Sequence, residues 1–184
     1  MINLGEAHVE PSEVVTFWRE AGSKRWFAKD AAFDADFRAR FFDAHLAAAA
    51  RRLDTWAATA AGGLALVILL DQFPRNTFRG TAHMFATDPL ARLFVRGALA
   101  ARLDTQVEAG LRQFLYLPLM HSEDLVDQDR SVELYVTLGE AQRYAQEHRD
   151  IIARFGRFPH RNAMLGRETT PEEKAFLDAG GFAG

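Results

Sequence analysis

Residues 123–155 read EDLVDQDRSVELYVTLGEAQRYAQEHRDIIARF, which is a helical pattern almost throughout. As one helix this stretch would extend about 50 Å at 1.5 Å per residue, too long for a compact domain of this size. Gly139 lies near the middle, so the sequence predicts a break there and an antiparallel helical hairpin. The second arm is amphipathic, with an apolar face made of Ala141, Tyr144, Ala145, His148, Ile151, Ile152 and Phe155.

Helix start and stop signals recur on the amino-terminal and carboxyl-terminal sides of this hairpin. Phe33, Phe37 and Phe41 recur at a spacing of four residues, which predicts one apolar helical stripe. The predicted start signals are Ser12, Asp30, Asp88 followed by Pro89, and Thr170 in a capping box that ends at Glu173. Gly22 and Gly180 are the predicted stop signals.

The apolar run LALVILL, residues 64–70, is the one passage that could be a buried strand. Helical signals lie on both sides of it, and no alternating segment elsewhere offers a partner strand. The sequence therefore predicts a buried helix that ends at Pro74. The predicted fold is all-α, a single domain over residues 1–184 built from stacked antiparallel helical hairpins.

Composition and charge exclude several classes of protein. The chain has 184 residues, of which 48% are hydrophobic and 26% charged, and its net charge of −3 argues against a nucleic-acid-binding protein. It contains no cysteine, which excludes disulfides, thiol nucleophiles and thiolate metal sites. The first ten residues carry no secretory signal, and no apolar run approaches the roughly 20 residues of a membrane span. We therefore expect a cytoplasmic protein without membrane contact.

A cationic turn, RFGRFPHRN at residues 154–162, follows the hairpin. Residues 154–167 contain four arginines and no acidic residue. Gly156 can end the helix, and the irregular segment after it could direct guanidinium and backbone N–H groups at an anion. Equally, the arginines could cap helix carbonyls and pair with acids on neighbouring helices. The arginines are Arg154, Arg157, Arg161 and Arg167, and Asn162 completes the segment.

The hairpin brings a second group of polar residues toward this turn. Ser122 reads as the N-cap of the first arm, and position 123 lies opposite position 155 when the hairpin closes. Histidine and glutamate beside arginines suit a general acid/base pair or a binding rim. The spacing matches no metal motif, so we expect neither a metal nor another cofactor. The candidate catalytic residues are His121, Glu123, His148 and His160.

A third polar group lies in LLDQFPRNTFRG, residues 69–80. It follows the buried apolar run directly. A group of polar residues in this position either fastens the end of the helix, as a structural latch, or forms the wall of a pocket. Both interpretations stay open. Its candidate ligand-binding residues are Asp71, Gln72, Arg75 and Asn76, which join Arg154, Arg157, Arg161 and Asn162 of the cationic turn.

Several long blocks of the chain resemble one bacterial family. They are RWFAKDAAFD, LALVILLDQFPRNTFRG, FLYLPLMHSEDLVDQDRSVELY and HRDIIARFGRFPHRNAMLGRETTPEE. Together they resemble the family catalogued as domain of unknown function 924, from about Val14 to Leu177. The resemblance implies an all-helical fold similar to tetratricopeptide-like superhelices. It implies no established activity and transfers no catalytic residue.

Two functions compete for these residues. The first is a pocket for a small anionic molecule, with or without acid/base chemistry. The second is a non-enzymatic, tetratricopeptide-like scaffold that binds a peptide or partner protein. A closed pocket lined by the candidate residues would favour the first function. An open groove, with those residues engaged in internal pairs, would favour the second.

Overall fold

The structure is a computed structural model that describes residues 9–184, without the side chains of residues 140 and 141. Every regular element in these residues is helical, so the predicted all-α class is confirmed. None of these helices is long and apolar enough to cross a membrane. The sequence prediction about a secretory signal concerns residues 1–10, of which 1–8 lie outside the described residues.

Eight helices carry the labels used below. They are α1 (Pro11–Ala21), α2 (Ala31–Ala49), α3 (Ala60–Val67, Ile68–Gln72 and Phe73–Thr77), α4 (Asp88–Ala100), α5 (Ala109–Met120), α6 (Leu125–Tyr135), α7 (Gln142–Phe155) and α8 (Pro171–Asp178). Single turns lie at Ser23–Trp26, Asp54–Ala58, Ala82–Phe85, Leu103–Gln106, Val136–Ala141 and Pro159–Arg161. The described residues form two compact units, one of residues 9–79 and 83–118, the other of residues 80–82 and 119–184.

Aromatic side chains form part of the core of the first unit, together with the buried aliphatic run at residues 64–70. The Phe37 ring lies 5.5 Å from Trp18 and 5.0 Å from Phe73, and Trp18 lies 5.2 Å from Phe114. Residues 64–70 are buried at every position, which explains why this run has no polar face. It is helical, as predicted, and it packs against α1, α2 and α4, as a helix without a polar face does in a core.

The predicted end of this helix at Pro74 is wrong. α3 continues to Thr77 through a π-helical turn, Ile68–Gln72, in which the Phe73 N–H donates to the Ile68 carbonyl five residues back. Pro74 has no N–H for the Leu70 carbonyl. Two side chains bind the carbonyls at this irregularity: His45 Nδ1 lies 2.9 Å from the Leu69 oxygen, and Thr87 Oγ1 donates to the Leu70 oxygen at 2.5 Å. Tertiary contacts thus allow a proline inside the helix.

The predicted hairpin is confirmed in the second unit, where α6 and α7 pack against each other. The chain turns through Val136–Ala141, and Gly139 adopts φ 70° and ψ −125°, a conformation that a side chain would strain. On α7, Ala145, His148, Ile151 and Ile152 are buried as predicted. Of the other predicted positions, Tyr144 is 51% exposed, Phe155 is partly buried, and the side chain of Ala141 lies outside the described ones.

The helix caps are predicted less well than the helices. Asp30 accepts hydrogen bonds from two N–H groups of α2, and Thr170 forms the expected capping box with Glu173. Elsewhere the true cap lies one or two residues away from the predicted one. Glu10 replaces Ser12, Thr87 replaces Asp88, and Asp124 replaces Ser122.

Candidate functional site

The turn after α7 organises the candidate residues of the second unit. α7 ends at Phe155, and Gly156 adopts φ 69°, which reverses the chain. Phe158 then enters the core and is fully buried, while Phe155 is only partly buried. A short helical turn, Pro159–Arg161, follows. The buried Phe158 holds this segment in place and gives the polar side chains around it defined positions.

Glu123 lies against this turn, as the hairpin geometry predicted. Its Oε1 accepts the Phe158 N–H at 2.9 Å, and Arg167 donates to both carboxylate oxygens at 2.9 and 2.8 Å. Burial acts to raise the pKa of Glu123, but the bonds from Arg167 and Phe158 and the charge of Arg161 outweigh it and lower the pKa. Glu123 is therefore an ionised side chain whose two oxygens already have donors.

Arg157 is engaged in the same way by Glu173 of α8. Its Nε and Nη2 atoms donate to the two carboxylate oxygens at 2.6 and 2.9 Å, and Nη2 also donates to the Glu168 carbonyl. The hydrogen bond from Arg157, opposed by burial and assisted by the Thr170 N–H, lowers the pKa of Glu173 to about 2. The Glu173 carboxylate thus occupies the place where an external anion would meet this arginine.

Arg154 and Asn162 differ in exposure. The Arg154 guanidinium pairs with Glu172 at 2.9 Å on the surface and lies 4.6 Å from the centre of the Phe155 ring. Asn162 is fully buried, and its Nδ2 donates to Glu173 at 3.2 Å. No hydrogen-bond partner for its Oδ1 exists among the described residues. One candidate is therefore accessible to a ligand, and the other is enclosed.

We define the histidine cluster as His121, Glu123, His148, His160 and Arg161, which influence one another electrostatically. His148 Nδ1 lies 2.8 Å from the Tyr144 carbonyl oxygen. A carbonyl only accepts, so Nδ1 carries the proton and Nε2 the lone pair. Burial first, then the neighbouring His121 and Arg161, lowers the pKa of His148 to about 4, although the bond to Tyr144 acts the other way.

His160 is shifted further in the same direction. Burial, followed by the charge of Arg161 and by His148, lowers the pKa of His160 to about 3, against the opposing effect of Glu123. Its Nδ1 is buried and has no hydrogen-bond partner within residues 9–184. Arg161 lies over the Phe158 ring, with its guanidinium carbon 4.4 Å from the ring centre.

The two shifted histidines limit the chemistry of the cluster. A general acid or base works best when its pKa lies near the working pH. With pKa values of about 4 and 3, His148 and His160 are neutral at pH 7, have almost no proton to donate as acids and are weak bases. Neutral rings of this kind form hydrogen bonds more readily than they transfer protons, and a catalytic role for the four predicted residues stays a prediction.

The remaining candidates lie in the first unit, where Arg75 is the centre of an ion-pair network. Its guanidinium donates to both oxygens of Asp88, at 2.8 and 3.0 Å, and lies 3.0 Å from an Asp71 oxygen. Burial alone would lower the pKa of Arg75, but the two carboxylates raise it. Gln72 donates to Asp71 at 2.6 Å. The network fastens the π-helical turn of α3 to the start of α4.

Asn76 makes a separate connection within the same unit. Its Nδ2 donates to Asp34 of α2 at 2.7 Å, and Arg79 binds the same carboxylate at 2.8 Å. These contacts, like those of Arg75, are the ones expected of a structural latch. A ligand-binding role for Asp71, Gln72, Arg75 and Asn76 stays a prediction.

An open groove of about 530 Å³ lies along α7 in the second unit. Its apolar lining consists of Ile151, Phe155, Phe176 and Phe182. The Phe155 and Phe176 rings are 5.2 Å apart, and both belong to the core that surrounds Phe158. The groove is also lined by polar side chains of α7: Arg143, Gln146, Glu147, Asp150 and Arg154.

Comparison with known proteins places the chain in a family. The model of the family described as bacterial protein of unknown function, DUF924, matches residues 14–181. The chain belongs to this family. A solved structure of a protein of unknown function from Agrobacterium tumefaciens is 55% identical to this DUF924 chain, with a TM-score of 0.90 over 92% of this chain and 97% of that one. No curated protein matches.

Sequence reasoning missed several residues of this DUF924 site. Glu173 reads as a helix cap, yet it is also the partner of Arg157. Phe182 lies in a short segment with no periodic pattern, although it lines the groove. Gln128 and Ser131, one turn apart on α6, are fully buried and carry oxygens without hydrogen-bond partners in the described part of the chain. Their helical spacing alone could have shown that they share a face.

Potential metal ligands do not cluster in the described residues. Within 9–184, leaving aside the side chains of 140 and 141, no three His, Asp or Glu side chains are arranged to hold a metal ion. The expectation that this DUF924 protein needs neither a metal nor another cofactor stays a prediction.

Proposed function

We propose that this DUF924 protein is a binding protein whose partner is a segment of another polypeptide, held in the groove along α7. One observation supports the proposal above the others. The groove is open and floored by aromatic side chains, whereas the candidate arginines Arg75, Arg154 and Arg157 are engaged in ion pairs within the chain. This combination is the one expected of a scaffold rather than of a pocket for a small anion.

The floor of the groove determines which side chains it suits. Phe155 of α7 and Phe176 of α8 are partly buried against the core, so they lose little freedom when a ligand covers them. A space of about 530 Å³ lies in the range of drug-sized sites, which also accommodates a few side chains of a peptide. The partner segment therefore presents large apolar residues to this floor.

The charged rim favours a basic residue next to those apolar anchors. The Glu147 side chain is exposed and makes no hydrogen bond or ion pair with any described residue, and Asp150 lies one turn away from it on α7. The cations on either side are already engaged: Arg154 with Glu172, and Arg143 with the Tyr144 hydroxyl at 3.1 Å. Glu147 is thus the rim charge most ready for a ligand, and a Lys or Arg of the partner complements it.

The proposal includes no reaction. The neutral state of His148 and His160 and the saturated oxygens of Glu123 argue against proton transfer near pH 7. The tetratricopeptide-like superhelix and the cytoplasmic location belong to the same proposal. Both suit a scaffold that meets other proteins, although a fold by itself does not determine function.

The direct test uses two short peptides as probes, N-acetyl-Phe-Lys-amide and its Glu counterpart. We expect the Lys peptide to shift the NMR signals of the Ile151 methyl groups and the Phe176 ring saturably at millimolar concentration. The Glu peptide should bind more weakly. Glu147→Gln should reduce the affinity for the Lys peptide by up to about fivefold, since an exposed ion pair contributes roughly 0.2–1 kcal/mol.

Glu133→Gln is the matched control, because Glu133 is an exposed glutamate on α6 that does not line the groove. Its affinity for the Lys peptide should equal that of the wild type. The proposal fails if neither peptide perturbs the groove signals up to about 10 mM, or if Glu147→Gln and Glu133→Gln behave alike.

Binding of a small anion at the histidine cluster is the second candidate function. It is favoured by the convergence of His121, Glu123, His148 and His160 around Arg161, and by the buried Nδ1 of His160 that has no partner among the described residues. An incoming anion would have to compete with carboxylates that already bind Arg157 and Arg167. We therefore expect any such binding to be weak.

Thermal denaturation with phosphate, acetate and citrate tests this second candidate. A rise in the melting temperature with one of these anions, absent in Arg161→Gln, would support it. If no anion stabilises the wild type while Arg157→Ala already melts early without ligand, the cationic turn is purely structural.

A further inference from the structure

The segment after α8, residues 180–184, is folded back over the histidines of the second unit. α8 ends in a turn where the Gly181 N–H donates to the Phe176 carbonyl at 3.0 Å. Phe182 then packs its ring 4.4 Å from the His148 ring and 5.1 Å from the His160 ring. One aromatic side chain therefore contacts both imidazoles, of which His148 is buried and His160 is half-buried.

Two glycines make this path possible. A Cβ atom at Gly181 would lie 2.5 Å from the Phe176 ring, and one at Gly184 would lie 3.1 Å from Cδ2 and 3.3 Å from Nε2 of His160. Side chains at these positions would push the segment away from α8 and from His160. The close contact on both sides shows that the segment is fitted to this surface.

The same segment is held weakly. No hydrogen bond joins residues 182–184 to any other described residue, and Phe182, the sole large side chain among them, is only partly buried. Segments with few buried contacts and few hydrogen bonds open at a small fraction of the free energy of global unfolding. The buried Nδ1 of His160, which lacks a partner in residues 9–184, would gain hydration when the segment leaves.

We propose that residues 181–184 form a displaceable strap that closes the pair His148–His160 and that opens without unfolding of the second unit. The strap goes beyond the proposed function, since it does not require a peptide in the groove. Phe182 nevertheless belongs to both places, because it lines the groove and contacts the two histidines. A groove ligand that displaces Phe182 would therefore expose the rings of His148 and His160 to solvent.

The experiment is carbethoxylation of the full chain by diethyl pyrocarbonate at pH 7.5, with the rate at each histidine measured by mass spectrometry. The reagent attacks neutral imidazole, and these two rings are neutral at this pH, so a change in the rate at one ring between variants reports on its access. His45 is fully buried in the first unit and His83 is exposed, which provides an internal slow and an internal fast reference. In the wild type, His148 and His160 should react at rates between these two.

Phe182→Ala should raise the rates at His148 and His160 by about tenfold or more while the rate at His45 stays constant. A chain ended after Gly180 should behave in the same way. Phe182→Leu, which keeps an apolar cover, and Ala183→Ser, a change at an exposed neighbour, should stay close to the wild type. Unchanged rates in Phe182→Ala would overturn the strap.

Global unfolding of a variant would show itself as a parallel rise at His45. In that case the rates measured in the wild type test whether the segment opens. If its His148 and His160 react no faster than His45, the segment does not open and the proposal is wrong. The peptide probes keep the two proposals separate: a peptide that binds the groove but leaves both histidine rates unchanged refutes the coupling and leaves groove binding intact.

Discussion

The Glu173 carboxylate accepts two hydrogen bonds from the Arg157 guanidinium, at 2.6 and 2.9 Å, and a third from the Thr170 N–H in the capping box of its own helix. One carboxylate thus joins the start of α8 to the turn after α7. Because Glu173 is 2% exposed, loss of its cationic partner leaves a charge with little access to water. This relationship makes Arg157 a structural residue whatever else it binds.

We therefore expect Arg157→Ala to lower the melting temperature by several degrees without any ligand. Arg154→Ala is the matched control, because its pair with Glu172 is exposed on both sides and contributes little. Thermal denaturation followed by circular dichroism measures both variants. If the melting temperature falls by the same small amount in both variants, the pair with Glu173 does not stabilise the fold.

The π-helical turn in α3 gives a second prediction. Thr87→Val removes the hydroxyl that donates to the Leu70 carbonyl and leaves that buried oxygen with one donor fewer. We expect the free energy of unfolding to fall by about 1–3 kcal/mol. Thr87→Ser, which keeps the hydroxyl, should lose less than half of this amount. Urea denaturation of the two variants measures this difference. Identical losses of the free energy of unfolding would contradict a stabilising role for the hydrogen bond from Thr87 to Leu70.

His148 makes stability depend on pH. Its pKa is lowered from 6.5 to about 4 in the folded chain, so the unfolded chain takes up a proton first as the pH falls. This contribution to stability is complete above pH 6.5 and is lost progressively as the pH falls toward 4, by about 3 kcal/mol in total. NMR titration should give a midpoint near 4 for the His148 ring.

His83→Gln is the control for this titration, because His83 is exposed. It should leave the loss of stability between pH 6.5 and 4 intact, whereas His148→Gln should reduce it. A midpoint near 6.5 for His148 would show that the ring is not enclosed.

The break between α6 and α7 gives the last prediction. Gly139 has a backbone conformation that an L side chain strains, while no atom lies within 4 Å of a Cβ built there, so Gly139→Ala costs backbone strain alone. We expect a loss of about 1–3 kcal/mol. Gly97→Ala in the exposed middle of α4 should instead stabilise the chain by about 0.5–1 kcal/mol. Urea denaturation measures the free energy of unfolding of both variants. A change in the same direction in both would contradict this prediction.

The amino-acid sequence by itself determined the helical class, the hairpin around Gly139 and the approach of Glu123 to the turn at Phe158. These features follow from local signals, such as apolar spacing, a capping box or a glycine between two helical patterns. Each depends on residues within a few turns of one another. The register of a hairpin then brings its two ends together without further information.

Only the tertiary structure decided which partner each charged residue has. Arg167 binds Glu123 from 44 positions away, and Arg75 binds Asp88, which reads in the sequence as a helix cap. The same holds for the course of α3 past Pro74, since His45 and Thr87 reach its carbonyls from other helices. It holds equally for the low pKa values of His148 and His160, because burial is a property of the packed chain. Ion pairing and desolvation act through space, so the local sequence pattern contains the charges but not the distances between them.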